Sequence, residues 1–426
     1  MRGGRMKSQK WIPFIFFVLY IVNLAPVCAG PRPGDIFREY TFNPHQDFSV
    51  RHFSELDPAC KRVFEEGSGF ESKPRMVKQR IDLDLDRAVR AEMAVEYWGG
   101  HIGTSDQKFK VNGREWIQIP QPRGTPTDPN CYYRVLLGNE TVPIPLEQLQ
   151  EGCNEVQFTC GPQTCHNFDW GFYWIYSFSI IVHYDPSKPH PEGRITAPVS
   201  GSTVIDRTKI AAMASSDDSR IKRVDFIGYY KDFDWEGNGI FSQYHYQTQY
   251  GEMTRHIGTS YCAPYSVTWD SEGLPDQDEP MKIVAKLTDW NGISYMTPAV
   301  ENLLLERQDR SVKMYISRDV PEKFGVRESE TRKSCTIQVD DSLENATSAR
   351  LVLSTWCGAH AVEIGLNGKK LVDVVGNVHD YSYDILSVGL DMIKPGINEF
   401  YVHAVTPEHA VEVNWPGPVL MIEFIK

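Results

Sequence analysis

The chain has 426 residues, a formal net charge of -12 and a 41% apolar share, with twenty Tyr, twenty Phe and ten Trp. That length accommodates roughly two to four domains, and the apolar share is enough for packed cores. The acidic balance, with no long basic run after the N-terminus, argues against a nucleic-acid partner, which requires a cationic face. The aromatic load suits strands, and exposed rings suit contacts with sugars or proteins.

Arg2, Arg5, Lys7 and Lys10 precede an apolar run from Trp11 to Val22, and Val27-Cys28-Ala29 offers small residues for cleavage after Ala29. Residues 1–29 are therefore expected to be a signal peptide, too short in the apolar part to serve as a span. The mature protein is expected to be secreted, extracellular or periplasmic, with no membrane span after cleavage. Eight cysteines remain, and an even count in an exported chain reads as disulfides. Cys335 and Cys357, the two in the last third, are expected to bond. Cys160 and Cys165 are placed to close a tight loop, and Cys262 is a candidate to reach into the first domain. Asn139-Glu-Thr141 and Asn345-Ala-Thr347 are glycosylation sequons.

Residues 30–75 are rich in Pro, Gly and charge and read as an irregular lead-in, with a short helix near Asp57 to Glu66. Strand patterning then starts: Ile81, Leu83 and Leu85 alternate with Asp82, Asp84 and Asp86. Ala91 to Tyr97, Cys153 to Thr159 and Tyr173 to Tyr184 are further strands, and Asn112-Gly113 signals a hairpin turn. No long helical period occurs, so the class is all-β.

The segment from Leu85 to Trp98 aligns without a gap on Leu343 to Trp356. Asn112-Gly113 matches Asn367-Gly368, and Gly152-Cys-Asn154-Glu155 matches Gly396-Ile-Asn398-Glu399. Landmarks in the same order predict a duplicated domain over 76–185 and 311–426. Ala349 to Leu353, Asn367-Gly368, Tyr383-Asp384 and Ile393-Lys-Pro-Gly396-Ile-Asn398 resemble the galactose-binding-like β-sandwich. The resemblance implies a jelly roll of the kind found in sugar-binding modules and beside glycosidases, and carries no activity by itself.

A Pro-rich linker, Asp185 to Glu192, leads to residues 193–307. The Pro198-Val-Ser-Gly201 start, Val224-Asp-Phe226, Ile257-Gly-Thr259, Pro264-Tyr265, Trp269 and the Asp289-to-Gly292 end resemble the bacterial Ig-like module often carried by secreted polysaccharide-active proteins. The expected architecture is three consecutive β-sandwich domains: jelly-roll, Ig-like, jelly-roll.

This module departs from its family between Tyr230 and Ile257, where a long insertion carries Phe233, Trp235, Phe241, Tyr244, Tyr246 and Tyr250. Long loops are functional or disordered, and this one is too aromatic for disorder. It is expected to form part of a ligand site, with Trp235, Tyr244, His245 and His256 as ligand-binding candidates. Asp232-x-Asp234-x-Glu236-Gly237 resembles the first half of an oxygen-ligand Ca2+ loop, although Gln243 stands where an EF-hand has its bidentate Glu. A solvated acidic turn is the plain alternative. His166, Asp169 and Trp170 form a second aromatic and polar cluster suited to sugar stacking and hydroxyl bonding, or to core packing. In the last domain, His379-Asp380 and His409 to Trp415 are the densest polar groupings.

No G-x-S-x-G, H-E-x-x-H, P-loop or dinucleotide motif is present. The leading expectation is a secreted protein that binds polysaccharide or a glycan surface. The alternatives are a glycoside hydrolase or polysaccharide lyase with its site at a domain junction, and a structural or adhesion protein.

Overall fold

The computed structural model describes residues 30–42, 55–56, 79–100, 102–161, 163, 165, 171–407 and 409–426. The signal peptide and the helix expected near Asp57 lie outside these residues, as do His166, Asp169 and Trp170. Among the described residues, helices are limited to single 3₁₀ turns. The rest of the regular structure is strand, arranged around three separate cores. Met93, Phe109, Phe158 and Phe178 belong to the first. Phe226, Trp269, Ile283 and Leu287 belong to the middle one, and Ile337, Leu351, Phe400 and Leu420 to the last.

The first sandwich has one sheet in the order Ile36–Phe42, Trp174–Tyr184, Ala88–Trp98, Val135–Ile144. Its second sheet runs Gln79–Leu83, Gly152–Cys160, Lys108–Val111, Ile117–Gln118. The last sandwich repeats both orders. Arg310–Arg318, Val419–Ile425, Ala346–Trp356 and Tyr381–Ser387 form one sheet. Arg332–Val339, Gly396–His403, Glu363–Leu366 and Lys369–Val372 form the other.

The hairpin asparagines repeat as well. Asn112 and Asn367 both take φ 53°, ahead of glycines that are also left-handed, as a two-residue hairpin turn demands. Asn112 Nδ2 donates to Gln148 O and Asn154 Oδ1, and its Oδ1 accepts from Glu155 N. Asn367 makes the same three bonds, to Met392 O, Asn398 Oδ1 and Glu399 N.

Residues 36–42 depart from the irregular lead-in expected of them. Ile36, Phe37 and Tyr40 are buried, and the strand pairs with Trp174–Tyr184 on one side. On the other, Ile36 and Phe37 pair with Tyr295 and Ser294 of the middle sandwich, so one sheet continues across the joint. Flanking Pro31, Pro33 and Gly34 masked a strand this short.

The cysteine pairing also differs. Cys131 is disulfide-bonded to Cys165, and Cys335 and Cys357 are unbonded thiols. Cys335 is buried in the second sheet of the last sandwich, with its Sγ on Ser317 Oγ. Cys357 follows the end of a strand in the opposite sheet, and its Sγ accepts from His379 N at 3.0 Å. The two sulfurs therefore answer to different sheets. Cys262 is an exposed thiol and does not reach the first sandwich.

Ala88–Trp98 explains how the units join. Ala91, Met93, Val95 and Tyr97 face the core of the first sandwich. The alternate positions Glu92, Ala94, Glu96 and Trp98 point the other way and are buried too. Ala94 packs with Ile227, Tyr246 and Val284 of the middle sandwich, and Trp98 packs with Trp356 and Tyr381 of the last.

Candidate functional site

The insertion at 232–256 folds into the space between the outer sandwiches. Asp234 organises its first turn: Oδ1 accepts from Gly237 N and Asn238 N, and Oδ2 from Gly239 N. Burial pushes its carboxyl up to about 7, against the pull of those three amides. Asp232 Oδ2 accepts from Trp235 Nε1 at 2.7 Å, and Glu236 Oε1 accepts from Glu140 N. The three acidic residues expected to form a calcium loop thus turn to three different partners. Among the described residues, no group of three His, Cys, Asp or Glu is placed to hold a metal ion. The run is a backbone-organised turn, and it is buried rather than solvated.

Trp235 and His245 are buried. Trp235 lies against Phe233 and Tyr383, and its carbonyl accepts from Tyr383 Oη at 3.0 Å. It is the wedge between the insertion and the last sandwich. His245 stacks on Tyr230 with ring centroids 3.7 Å apart. His256 Nε2 lies 2.7 Å from Thr259 Oγ1, whose own proton goes to Asp225 Oδ1. Tyr244 is half-buried against Tyr229 and lines a cavity of about 480 Å³ between the insertion and the first sandwich.

The second half of the insertion is a small hairpin, Gln247–Gln249 paired with Glu252–Thr254. Its turn residues are Tyr250 and Gly251, with φ 52° and 77°. Such a turn suits Asn-Gly, and Tyr in the first position is conformationally costly. Tyr250 is held there by its contacts. Its Oη donates to Asp380 Oδ1 at 2.5 Å, and its ring stacks on Tyr381 and meets the edge of Tyr176.

Behind this hairpin lies Glu96. Its carboxylate accepts from Tyr381 Oη at 2.5 Å, from Ser177 Oγ at 2.7 Å and from Gly251 N. Burial outweighs these bonds and pushes Glu96 up to about 7. Glu412, also buried, is raised well above the usual carboxylate range and accepts from Trp98 Nε1 at 3.1 Å. His379, His409 and His360 gather beyond Trp356, with the first two ring centroids 4.3 Å apart.

In front of the hairpin opens a cleft of about 710 Å³. The insertion contributes Gln249, Tyr250 and Arg255; the last sandwich contributes Asn377, Val378, Asp380, Tyr381, Ser382 and Tyr383. Tyr250 and Tyr383 are half-buried, and Tyr381 is buried. The wall therefore combines aromatic faces with amide, hydroxyl, carboxylate and guanidinium groups. The sequence suggests a ligand site on this insertion with Trp235, Tyr244, His245 and His256 as candidates, none of which lines this cleft. Tyr250, Arg255 and Asp380 line the cleft instead. The readable signal was Tyr250-Gly251, a turn pair with the wrong first residue.

A family described as bacterial Ig domain matches residues 191–283. The middle sandwich is an Ig-like domain. No curated protein matches the chain. Among solved structures, the fibronectin(III)-like modules of Clostridium thermocellum CbhA are 23% identical over 27% of this chain and 100% of that one, with a TM-score of 0.18. A β-porphyranase of glycoside hydrolase family 86 from Bacteroides plebeius is 14% identical, over 58% of this chain and 38% of that one, with a TM-score of 0.22. A β-glucuronidase from Ruminococcus gnavus is 11% identical, over 70% and 51%, with a TM-score of 0.22. The chain spans less than two thirds of either enzyme, and TM-scores this low say nothing of what it does. The Ig-like domain itself is where the insertion departs, so the cleft is formed on its edge.

Proposed function

We propose that this is an exported carbohydrate-binding protein whose site is the cleft between the Ig-like insertion and the last sandwich. We also infer that both outer sandwiches are galactose-binding-like jelly rolls. Their shared strand order and asparagine networks support the second reading. The first rests on the cleft wall: half-buried Tyr250 and Tyr383 beside Gln249, Asn377, Asp380 and Ser382. Sugar C–H faces pack on aromatic rings, and hydroxyls pair with amide and carboxylate groups set at the same surface.

Affinity electrophoresis through gels containing single polysaccharides tests this. One or more polymers should retard the protein, and Tyr250→Ala or the cleft-filling Val378→Trp should abolish retardation. Val378 is half-exposed and packs in none of the cores, so its replacement should leave the fold intact. Unretarded migration across neutral and acidic polymers, or retardation unchanged in both variants, would refute the reading.

An enzymatic role is favoured by one observation. Glu96, held near neutrality, bonds to a tyrosine of the cleft wall, a pairing seen where protons are moved. Release of reducing ends or unsaturated sugars from a retained polymer would establish it.

A further inference from the structure

Arg255 is the one cation of the cleft wall, and it has no hydrogen-bond or ion-pair partner among the described residues. Four other arginines, Arg90, Arg223, Arg307 and Arg310, each meet a carboxylate. Arg255 instead lies over aromatic rings, 3.9 Å from the centroid of Trp235 and 5.9 Å from that of Tyr383. Its Nε is buried and unbonded. Its backbone is left-handed, φ 59°, a conformation that an arginine adopts only when its surroundings impose it.

Nearby carboxylates are already engaged. Asp380 accepts from Tyr250 Oη and Tyr381 N, and Asp232 accepts from Trp235 Nε1. The fold thus holds a guanidinium at the cleft, supported on a ring face, with no hydrogen-bond or ion-pair partner among the described residues.

Resting on the cleft reading above, we propose that the cleft selects an acidic glycan, and that Arg255 receives the carboxylate or sulfate of a charged sugar. Planar N–H pairs match both anions, and such bonds are stronger than those to hydroxyls. The chain's net charge of -12 repels polyanions at large, so retention of one requires a specific cation.

Four polymers test the inference by affinity electrophoresis: polygalacturonate and its carboxyl-reduced form, dextran sulfate and dextran. The protein should bind one charged polymer at least about tenfold more tightly than its neutral counterpart. Which of the two charged polymers it prefers separates carboxylate from sulfate. Arg255→Gln should erase that ratio, and Arg255→Lys should keep part of it. Equal binding of charged and neutral forms, blocked by Val378→Trp and unchanged in Arg255→Gln, overturns the acidic selection while the cleft stands. A lower melting temperature in Arg255→Gln with an unaltered ratio also overturns it, because Arg255 then only packs on Trp235. Retention of none of the four, when other polymers are retained through the cleft, overturns it too. If no polymer is retained, the cleft reading fails first.

Discussion

Trp98 and Trp356 stack face to face, with ring centroids 4.2 Å apart and planes 4° from parallel. Each closes the same strand of its own sandwich, Ala88–Trp98 in one and Ala346–Trp356 in the other. The repeated position therefore meets itself across the molecule. Trp174 packs edge-on against both rings, and Trp98 Nε1 reaches over to Glu412 of the last sandwich. The joint between the outer units is built from equivalent residues, and the Ig-like insertion fills the space beside it.

Replacing either tryptophan by alanine should cost about 3–5 kcal/mol, as for large-to-small core changes. Trp98→Ala should be the worse, because it also strips buried Glu412 of its donor. The double variant should show a coupling of about 0.5–1.5 kcal/mol, the range for aromatic pairs. Calorimetry of the four proteins, read on the transition that involves the outer sandwiches, gives the cycle, and strictly additive losses would mean that the stacking carries nothing.

Glu96 gives the joint a pH dependence. Its carboxyl is raised from 4.5 to about 7 by burial, so the folded state keeps a proton that the unfolded chain has released. The stability this contributes is complete below pH 4.5 and is lost as pH rises through 7. Glu96→Gln keeps an acceptor for Tyr381 and has no proton to lose. The variant's melting temperature relative to wild type should therefore climb from about pH 5 to about pH 8. Taking the difference cancels carboxylates of opposite sign, such as Asp35 and Glu92, which their partners hold below the usual range. A difference that stays flat over that window would reject the assignment.

The sandwiches were legible because their signals are local. Alternation at Ile81, Leu83 and Leu85 marks a strand with one dry face, and Asn-Gly marks a hairpin in both outer units. The site was not legible, because domain packing decides it. Glu92 and Glu96 alternate with Met93 and Val95 like the wet face of an edge sheet, yet both are buried, Glu92 among His183, Thr141 and Arg90 of its own sandwich and Glu96 against the insertion and the last sandwich. Asp232, Asp234 and Glu236 have the spacing of cation ligands, and in the fold Asp234 accepts from backbone amides and Asp232 from the Trp235 indole. Aromatic count alone could not separate Trp235, a wedge, from Tyr250, a cleft residue fifteen positions on.

Thiol chemistry checks the cysteine assignment. Burial pushes both Cys335 and Cys357 up to about 12, so neither is reactive in the folded protein. Cys153 and Cys262 are exposed and should label with a thiol reagent under native conditions. Denaturation without reductant should then expose Cys335 and Cys357 as thiols, identified by peptide mapping. Labelling that requires prior reduction would mean the two are bonded after all.

Two arginines sit at the joint between the Ig-like domain and the last sandwich: Arg307 ties together the loops of the Ig-like side, and Arg310 crosses to the other. Arg307 is 7% exposed. Its Nε donates to Asp206 at 2.6 Å and Nη1 to Asp276 at 2.9 Å, while Nη2 donates to the carbonyls of Ser271 and Leu274. Arg310 shares Asp206 and reaches Glu423 on the last strand of the chain. Burial raises the Asp206 carboxyl, but the two guanidinium groups win and hold it below its ordinary value. Arg307→Ala leaves two buried carbonyls without this donor and two partly exposed carboxylates facing each other. The expected loss is about 2–4 kcal/mol, toward the lower end because water reaches the carboxylates. Arg307→Lys keeps the charge without the fork and should recover less than half. Because a three-domain chain need not unfold in one step, calorimetry is the suitable measurement. In wild type the Ig-like domain and last sandwich should melt together; in Arg307→Ala the last sandwich should separate as an earlier transition. A single unshifted transition would show that the tryptophan joint and the insertion hold the last sandwich without this clamp.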